Sequence, residues 1–316
     1  MIKLKQKKKE IQEGIEKVLK PQEVEWSKDV IKRLKEFSSN GKMIRGSLFL
    51  RTYEILGGKE DVTNIAIALE LTQSGILTHD DVMDKDEYRR GKKTIHEQYA
   101  SSITNKHYGY SMAICFADVA FFESFKLIPQ NLTKIYSDQM IRCAYGQMQD
   151  VHLSYSSREP SKEQIIEVYK NKTARYTFSL PMMMAAKLTN QNVELFENLG
   201  ENLGIIFQII DDDIGIFGDK KEIGKTPGQD FKENKKTLHR YFLLKQNPEL
   251  EKYFSKDLTS KDLEIIKQEM QKIKPKIQEI ILTYQKKVDE IIKQLPCDKT
   301  FFEELSKYNL SRIKWK

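Results

Sequence analysis

Long stretches of the chain carry apolar residues at three- and four-residue spacing, the pattern of helices with one buried face. The clearest examples are residues 65–71, 113–128, 165–169, 196–210 and 265–295. Alternating apolar and polar runs bounded by turn residues, which would indicate strands, are almost absent. Proline, with 8 residues, and glycine, with 15, are too scarce to interrupt these stretches often. The pattern predicts an all-α protein with about ten or more helices.

Turn-forming residues mark where the predicted helices begin and end. Residues 38–41 form a predicted loop ahead of a helix that opens near Lys42, and Gly57 follows the end of that helix. Ser161 and Gln164 have the spacing of a capping box, in which a hydroxyl and an amide side chain satisfy free backbone N–H groups. These signals predict short loops between helices.

The chain length and the termini set the expected domain organisation. A chain of 316 residues is long enough for one large core, so we expect a single domain over residues 1–316. Residues 1–10 and 312–316 are basic and are predicted to fray. Residues 1–10 also lack the apolar core of a secretory signal, and no apolar run approaches the roughly 18 to 20 residues of a transmembrane segment. The 3 cysteines show no CxxC spacing, which argues against a disulfide framework and predicts a cytoplasmic protein.

The net charge of +7 raises the question of an anionic partner. The lysines are dispersed and no nucleic-acid-binding motif occurs, so we expect no nucleic-acid partner. Charged residues make up 31% of the chain and the mean hydropathy is −0.58, which fits solvated helix faces. The alternative is a basic surface that attracts polyanionic substrates or an anionic membrane.

Two groups of aspartates interrupt apolar helical stretches and give the strongest chemical signal. The first contains Asp80, Asp81 and Asp84, and the second is residues 211–213. On a helix Asp80 and Asp84 share a face, and a partly buried carboxylate cluster repels itself unless it shares a cation. Carboxylates that leave room for water and phosphate oxygens are typical of Mg²⁺. The two groups therefore predict a divalent-metal site held between two helices, with an acidic helix end balanced by arginines as the alternative for the first group.

Side chains that suit phosphate accompany both acidic groups. Arg89 and Arg90 are planar bidentate donors, and Lys42 and Arg45 lie near a predicted helix start, where anions are favoured. The further candidates are Lys172, Thr173, Lys225 and Lys235. For each lysine alone, a solvated surface position is the alternative, because 53 basic residues are available. Together they predict a diphosphate clamp beside the metal.

In chain order these residues resemble the motifs of the trans-isoprenyl diphosphate synthases, the polyprenyl synthetase family. The matches are residues 41–45 with GKxxR, residues 80–91 with DDxxDxxxxRRG, residues 172–173 with KT, residues 207–219 with FQxxDDxxDxxGD and residues 224–238 with its tail. An ordered set of this kind is highly specific, whereas a lone DDxxD also occurs in terpene cyclases.

The resemblance implies an isoprenoid synthase fold, a helical bundle around a deep central cavity, in a homodimer. It implies head-to-tail (1′–4) condensation of isopentenyl diphosphate with an allylic diphosphate to an all-trans polyprenyl diphosphate. It implies three Mg²⁺ ions, replaceable by Mn²⁺, on Asp80, Asp84 and Asp211. The residues implied at the allylic diphosphate are Asp81, Arg89, Lys172, Thr173, Gln208, Asp212, Lys225 and Lys235. Those implied at isopentenyl diphosphate are Gly41, Lys42, Arg45, Gln73 and Arg90.

The chain departs from the family pattern in the second acidic motif. Gly215 stands where the family has its last aspartate, and Asp213 points roughly 160° away from Asp211 on a helix, so it cannot replace that residue. We expect weaker affinity for the third metal rather than inactivity. At the C-terminus, Arg312 and two following lysines are expected to fold over the isopentenyl site.

Product length in this family depends on the residues before the first aspartates. A bulky side chain five residues before Asp80 stops growth early, but here that position is Gly75, with Thr72 one turn deeper. The tunnel is therefore predicted to be open past the farnesyl length, to a C20 or longer product. Phe121 and Phe122 are predicted to close it further down, with ordinary core packing as the alternative.

Two other functions remain open at this point. A class I terpene cyclase shares the first acidic motif but does not need Lys42, Arg45 and Arg90. A non-catalytic subunit of a heteromeric prenyl synthase is supported by Gly215 alone, against the intact Asp80.

Overall fold

The computed structural model describes residues 2–217 and 228–313, with side chains from residue 7 onward, and these residues divide into two compact units. Unit 1 comprises residues 1–136 and 184–191, and unit 2 comprises residues 137–183 and 192–316. The elements up to the unit boundary are α1 (Ile2–Val18), α2 (Ser27–Ser39), α3 (Ile44–Ile55), α4 (Thr63–Asp84), β1 (Tyr88–Arg89), β2 (Lys92–Lys93), α5 (Ile95–Ile103), α6 (Lys106–Phe125) and α7 (Gln130–Tyr155), which crosses the boundary.

The second half of the chain is also helical. Its elements are α8 (Lys162–Val168), a π-helix (Tyr169–Ser179), α9 (Leu180–Leu188), α10 (Val193–Phe217), α11 (Gln229–Lys232), α12 (Leu238–Gln246), a 3₁₀ helix (Pro248–Tyr253), α13 (Ser260–Gln294) and α14 (Thr300–Ser311). In the described residues the only strands are β1 and β2, which form one antiparallel pair. The all-α prediction is confirmed, and so is the capping box of Ser161 and Gln164. None of the helices in residues 2–217 and 228–313 has the length and apolar character that crossing a membrane requires.

Helix α4 is the centre of unit 1. Residues 65–75 are buried on every side of the helix, which is the pattern of a helix enclosed by others rather than one lying on a surface. Helices α1, α2, α3 and α6 supply that enclosure. The acidic end of α4 therefore projects from a packed core, which fixes the direction of its carboxylates.

Residues 2–10, part of the basic segment predicted to fray, lie in α1, where Lys7 pairs with Glu54 on α3 at 2.5 Å and Glu10 accepts a hydrogen bond from Thr63. The fraying itself stays a prediction. Ile11 and Ile15 follow at full burial. The lysine-rich composition concealed an amphipathic helix whose apolar face begins just beyond the segment that we considered.

Helix α10 is the centre of unit 2 and packs against the π-helix, α13 and α14. Arg175 on the π-helix is buried and pairs with Glu197 and Glu201 of α10, each at 2.8 Å. Gly204 lets the two backbones approach, because a Cβ at this position would overlap the Cα and Cβ atoms of Ala174. The contact holds the π-helix and its polar residues in register with the acidic end of α10.

Replacing Gly204 with alanine should lower the free energy of unfolding by about 2 kcal/mol, because the added methyl group meets backbone that cannot move aside. Urea unfolding followed by circular dichroism measures this change. Gly14→Ala is the matched control, since a Cβ there meets the tip of the flexible Ile67 side chain and alanine favours helix. Equal stability of the two variants would contradict the close approach of α10 to the π-helix.

Candidate active site

The first acidic group lies at the C-terminal end of α4, which stops where Lys85 adopts a left-handed φ of 57°. Arg89 binds across this end: its Nε donates to Asp81 Oδ1 at 2.5 Å, and its Nη2 donates to Asp80 Oδ2 at 3.2 Å. Burial lowers the pKa of Arg89, but the charges of Asp81 and Asp80 outweigh burial and raise it above its ordinary value. Arg89 is thus fixed as a cation beside the cluster.

Two further carboxylates complete this acidic end. Carboxylate oxygens of Asp84 and Asp86 lie within 4.8 Å of each other, and Asp86 is also 3.6 Å from Arg89 Nη2. Asp81 is fully buried and its Oδ1 accepts from Arg89, so it holds this arginine, and its place at the allylic diphosphate stays a prediction. Asp80, Asp84 and Asp86 remain around the end of the helix with more negative charge than one arginine balances. Such an oxygen-rich end suits a divalent cation.

The strand pair β1–β2 carries both arginines of the RRG motif. Arg90 and Gly91 form its turn with φ values of 52° and 75°, the two positive values that a tight hairpin of this hand requires. Gly91 belongs to this turn and not to the end of α4, which already stops at Lys85. Arg89 is the last residue of β1 and Arg90 is the first residue of the turn, where the backbone reverses, so the hairpin directs the two side chains to different surroundings.

The second arginine reaches the basic loop before α3. A Cβ at Gly41 would lie 3.2 Å from Arg90 Nη1, so the missing side chain at Gly41 makes room for the guanidinium. Partial burial lowers the pKa of Arg90, and the like charge of Arg89 lowers it further. The GKxxR and RRG motifs, 49 residues apart from Gly41 to Arg90, therefore meet in space.

The basic site formed in this way also contains buried polar groups. Glu70 is buried and accepts a hydrogen bond from the Gly46 amide at 2.8 Å; burial raises its pKa, while the charge of Arg45 opposes that change. Gln73 is buried and its Oε1 has no hydrogen-bond partner in the described residues. Lys42 is exposed and precedes α3, which begins at Ile44. Cations therefore outnumber the single carboxylate, which suits an anion held without metal.

In unit 2 a hydrogen-bonded chain links the π-helix to the second acidic group. Thr173 Oγ1 donates to Gln208 Oε1, and Gln208 Nε2 donates to Asp212 Oδ1, both at 2.7 Å. The hydroxyl of Tyr169 donates to the other oxygen of Asp212 and accepts from the Leu238 amide. Asp212 is buried and accepts the hydrogen bond that orients Gln208, and its place at the allylic diphosphate stays a prediction.

Charge and burial set the protonation of this chain of groups. Burial raises the pKa of Asp212 to about 7, and the nearby charge of Asp230 adds to the effect. Burial also raises the pKa of Tyr169, and the charge of Asp212 adds to that shift. The tyrosine thus stays a neutral donor that fixes the carboxyl group.

The predicted lysines have different outcomes. Lys172 Nζ donates to Asp150 Oδ2 at 2.5 Å, and Lys235 Nζ lies 3.1 Å from Glu233 Oε2. Lys225, together with residues 218–224 of the second motif, lies outside the described residues. The acids beside Lys172 and Lys235 hold the two ammonium groups in defined positions.

Residue 215, a glycine where the family has an aspartate, has the carboxylate of another residue beside it. A Cβ at Gly215 would lie 3.2 Å from Asp230 Oδ2, so an aspartate at residue 215 would crowd Asp230. Asp213 turns away, as predicted: it is buried and lies 3.8 Å from His239 Nε2. The acidic end of α10 therefore has a second carboxylate from a separate part of the chain.

Phe121 occupies the space beside Gly75. A Cβ at Gly75 would lie 2.8 Å from Phe121 Cε1, and the ring also meets His79 edge-on at 5.4 Å. Thr72 is buried one turn deeper, 2.7 Å from the Tyr136 hydroxyl. Phe122 is 70% exposed, and its part in closing the tunnel stays a prediction.

A sequence profile of the polyprenyl synthetase family matches residues 25–273, which is most of the chain and includes residues of both units. The chain belongs to the polyprenyl synthetase family. The single-domain boundary at residues 1–316 stays a prediction. The class I terpene cyclase alternative gains no support from this match.

Curated relatives and solved structures agree with the family. The geranylgeranyl pyrophosphate synthase of Geoglobus acetivorans is 31% identical over 277 residues, 83% of this chain and 82% of that protein. The geranylgeranyl diphosphate synthase of Sulfolobus acidocaldarius is 32% identical over 216 residues, but the match spans 64% of this chain and 62% of that relative, less than two thirds of its length. A similar solved structure is the geranylgeranyl pyrophosphate synthase from Corynebacterium glutamicum, complexed with isoprenyl diphosphate and magnesium. It aligns with this chain with a TM-score of 0.86 and 21% sequence identity. The alignment covers 99% of this chain and 98% of that one. The isoprenoid synthase fold expected from the sequence is confirmed.

The polyprenyl synthetase motifs did not reveal every residue that orders the site. Asp150 holds Lys172, Tyr169 holds Asp212, and Glu70 holds the Gly46 amide. None of the three holding residues lies inside a quoted motif. A buried acid in an apolar helix, as at Glu70, was the one signal available in the sequence.

Proposed function

We propose that this chain is a trans-prenyltransferase that condenses isopentenyl diphosphate head-to-tail with an allylic diphosphate, in the cytoplasm. One observation carries the proposal. Neighbouring arginines of one hairpin serve two unlike sites: Arg89 binds the carboxylates Asp80 and Asp81, and Arg90 reaches the basic loop at Gly41. A metal-assisted diphosphate site and a metal-free diphosphate site are what a reaction between two diphosphates requires.

The acidic residues fit Mg²⁺. Asp80 and Asp84 would hold two ions and Asp211 a third, with Mn²⁺ as a substitute. The fit rests on the donor set, since three carboxylates, those of Asp80, Asp81 and Asp86, share Arg89, and those of Asp84 and Asp86 approach within 4.8 Å. When bound, the ions neutralise the negative charge that grows on a departing diphosphate. The magnesium in the related Corynebacterium protein supports this assignment.

The remaining polar residues position and stabilise the leaving diphosphate. Arg89 and Lys172 would pair with its oxygens, and Thr173 and Gln208 are held ready by their mutual hydrogen bond. Lys225 and Lys235 would contribute two more cations. Breaking the allylic C–O bond leaves its electron pair on the diphosphate, where fixed cations stabilise it without rearranging.

The second substrate binds through the basic site. Lys42, Arg45 and Arg90 would pair with the diphosphate of isopentenyl diphosphate, and the unpaired carbonyl of Gln73 would accept a hydrogen bond from a bound water or an ordered donor. The double bond attacks the allylic cation, and the departing diphosphate takes the proton that is then lost. Apolar surroundings protect the cation from water.

Diphosphate release tests the reaction type. With Mg²⁺, an allylic diphosphate and isopentenyl diphosphate together, we expect one diphosphate released for each isopentenyl diphosphate consumed. Diphosphate release that is equally fast without isopentenyl diphosphate would contradict the proposal, because it would indicate a cyclase or a hydrolase.

We propose a product of C20 or longer. Relatives with names from farnesyl to nonaprenyl diphosphate synthase match this chain at 29–32% identity, so family membership leaves the length open. Gly75 supports the proposed length, because the position near the first motif lacks a bulky side chain, and we propose the Phe121 ring, supplied from α6, as the stop.

We also propose a homodimer. Helices α6 and α7 each expose a row of apolar side chains at helical spacing, which a single subunit leaves in water. The rows are Ile114, Phe122 and Phe125 on α6, and Ile141, Tyr145, Met148 and Tyr155 on α7, with exposures from 45% at Ile114 to 83% at Tyr155. A second copy of the chain is the occupant that we propose for these rows.

Changing Tyr145 and Met148 together to glutamate should convert the dimer to subunits of 37.0 kDa, because charged side chains are costly to bury at the centre of an interface. Sedimentation velocity measures the mass. Leu282→Glu is the matched control, since it places a charge on an equally exposed leucine of α13, at 58% exposure. An unaltered chain that sediments as a 37.0 kDa monomer would contradict the dimer.

A further inference from the structure

The last described turn of the chain is fixed against α10. Asn309 on α14 donates from Nδ2 to the Leu203 carbonyl at 2.9 Å, and the Phe302 ring packs on Phe196 with 6.0 Å between centroids. Asn309 and Phe302 are both buried. These contacts fix α14, and Arg312, the first residue after this helix, therefore has a defined place beside the acidic end of α10.

Arg312 makes an ion pair with Asp211. Its Nη2 donates to Asp211 Oδ1, and its guanidinium carbon lies 4.1 Å from the centre of the Phe207 ring. The Arg312 side chain is 13% exposed and the Asp211 side chain is 39% exposed, so water screens the pair only in part. Asp211 was expected to bind metal and Arg312 to cover the isopentenyl site; the structure joins them instead.

The pair leaves Arg312 incompletely satisfied. Its Nη1 is buried and has no hydrogen-bond partner among the described residues. A buried donor without an acceptor is unfavourable, so part of the gain from pairing with Asp211 is lost again. This imbalance makes the arginine displaceable by a competitor with a higher charge.

We propose that Arg312 is a resident counter-ion of Asp211 that a divalent cation must displace, and that Arg312 thereby sets the metal affinity of this carboxylate. The inference rests on the proposed function in one respect, that Asp211 is a metal ligand. A guanidinium and a metal ion compete for the same oxygen, Asp211 Oδ1, and cannot both bind it at full strength. The weak third site expected from Gly215 thus has a second cause, which the C-terminal residue supplies.

Manganese binding without any prenyl substrate tests the inference. Mn²⁺ titration of the metal-free protein, with free ion measured by electron paramagnetic resonance, gives the affinity of each site. We expect Arg312→Ala to tighten the weakest site about tenfold, the effect of removing one charged hydrogen bond. Arg312→Gln, which keeps a long polar side chain without the charge, should change the affinity in the same direction.

Two controls separate this effect from general charge and from other sites. Lys307→Ala removes one positive charge from an exposed position of α14 and should leave the weakest site unchanged. Combining Arg312→Ala with Asp211→Asn should abolish the tightened site. Equal affinities for Arg312→Ala and Lys307→Ala, or weaker binding in Arg312→Ala, would overturn the inference. A tightened site in a chain that forms no prenyl product would refute the proposed function and leave this inference standing.

Discussion

Asp80→Ala should lower kcat by roughly 1,000-fold while the protein stays folded, because a metal ligand is lost where charge develops in the transition state. The fold should survive, since Arg89 keeps its 2.5 Å contact with the buried Asp81 when its 3.2 Å contact with Asp80 is removed. Steady-state kinetics with saturating substrates and Mg²⁺ measure the loss, and circular dichroism checks the fold.

Glu87→Ala is the matched control for that variant. Glu87 is an exposed acid seven residues beyond Asp80, so removing it changes the net charge equally without touching the α4 cluster. We expect kcat close to that of the unaltered chain. A folded Asp80→Ala variant with kcat within tenfold of Glu87→Ala would show that Asp80 does not hold a metal needed for ionisation.

Phe121→Ala should lengthen the product by about one isoprene unit or more. The ring lies against Gly75 and His79 on α4, and close packing means that removing its six carbons frees a comparable volume for the growing chain. Mass spectrometry of the products from farnesyl diphosphate and isopentenyl diphosphate gives the distribution of lengths.

Phe122→Ala provides the comparison, since Phe122 is the adjacent phenylalanine of α6 but is 70% exposed. Its product should match that of the unaltered chain. The reverse change, Gly75→Phe, should shorten the product, because it adds a second ring beside Phe121 and leaves less space for the growing chain. Equal product lengths from Phe121→Ala and Phe122→Ala would refute the assignment of Phe121 as the stop.

The sequence predicted the elements of the fold well, because their signals are local. Apolar spacing over residues 196–210 lies within α10, that over residues 265–295 lies within α13 up to residue 294, and a capping box starts α8 where Ser161 and Gln164 predicted it. The helix over residues 2–10 did not follow from their basic composition, because the buried apolar side chains of α1 begin at Ile11. No glycine marks the end of α4, since Lys85 takes the left-handed conformation there.

Contacts in the site were predictable where both partners belong to one motif, and were not predictable where the partners are far apart in the chain. Arg89 follows its aspartates by only a few residues, so their contact followed from the motif. Periodicity gives the face on which a side chain lies but not the neighbour that it meets. The pairing of Arg312 with Asp211, 101 residues apart, and the approach of Asp230 to Gly215 depend on how helices pack, which no local pattern encodes.

The central claim, that this chain elongates prenyl diphosphates, is tested most directly by the mass of the product. Purified unaltered protein would be incubated with Mg²⁺, isopentenyl diphosphate and, in separate reactions, each allylic primer from dimethylallyl to geranylgeranyl diphosphate. We expect a prenyl diphosphate of C20 or longer from at least one primer. A folded protein that returns every primer without added isoprene units would contradict the claim.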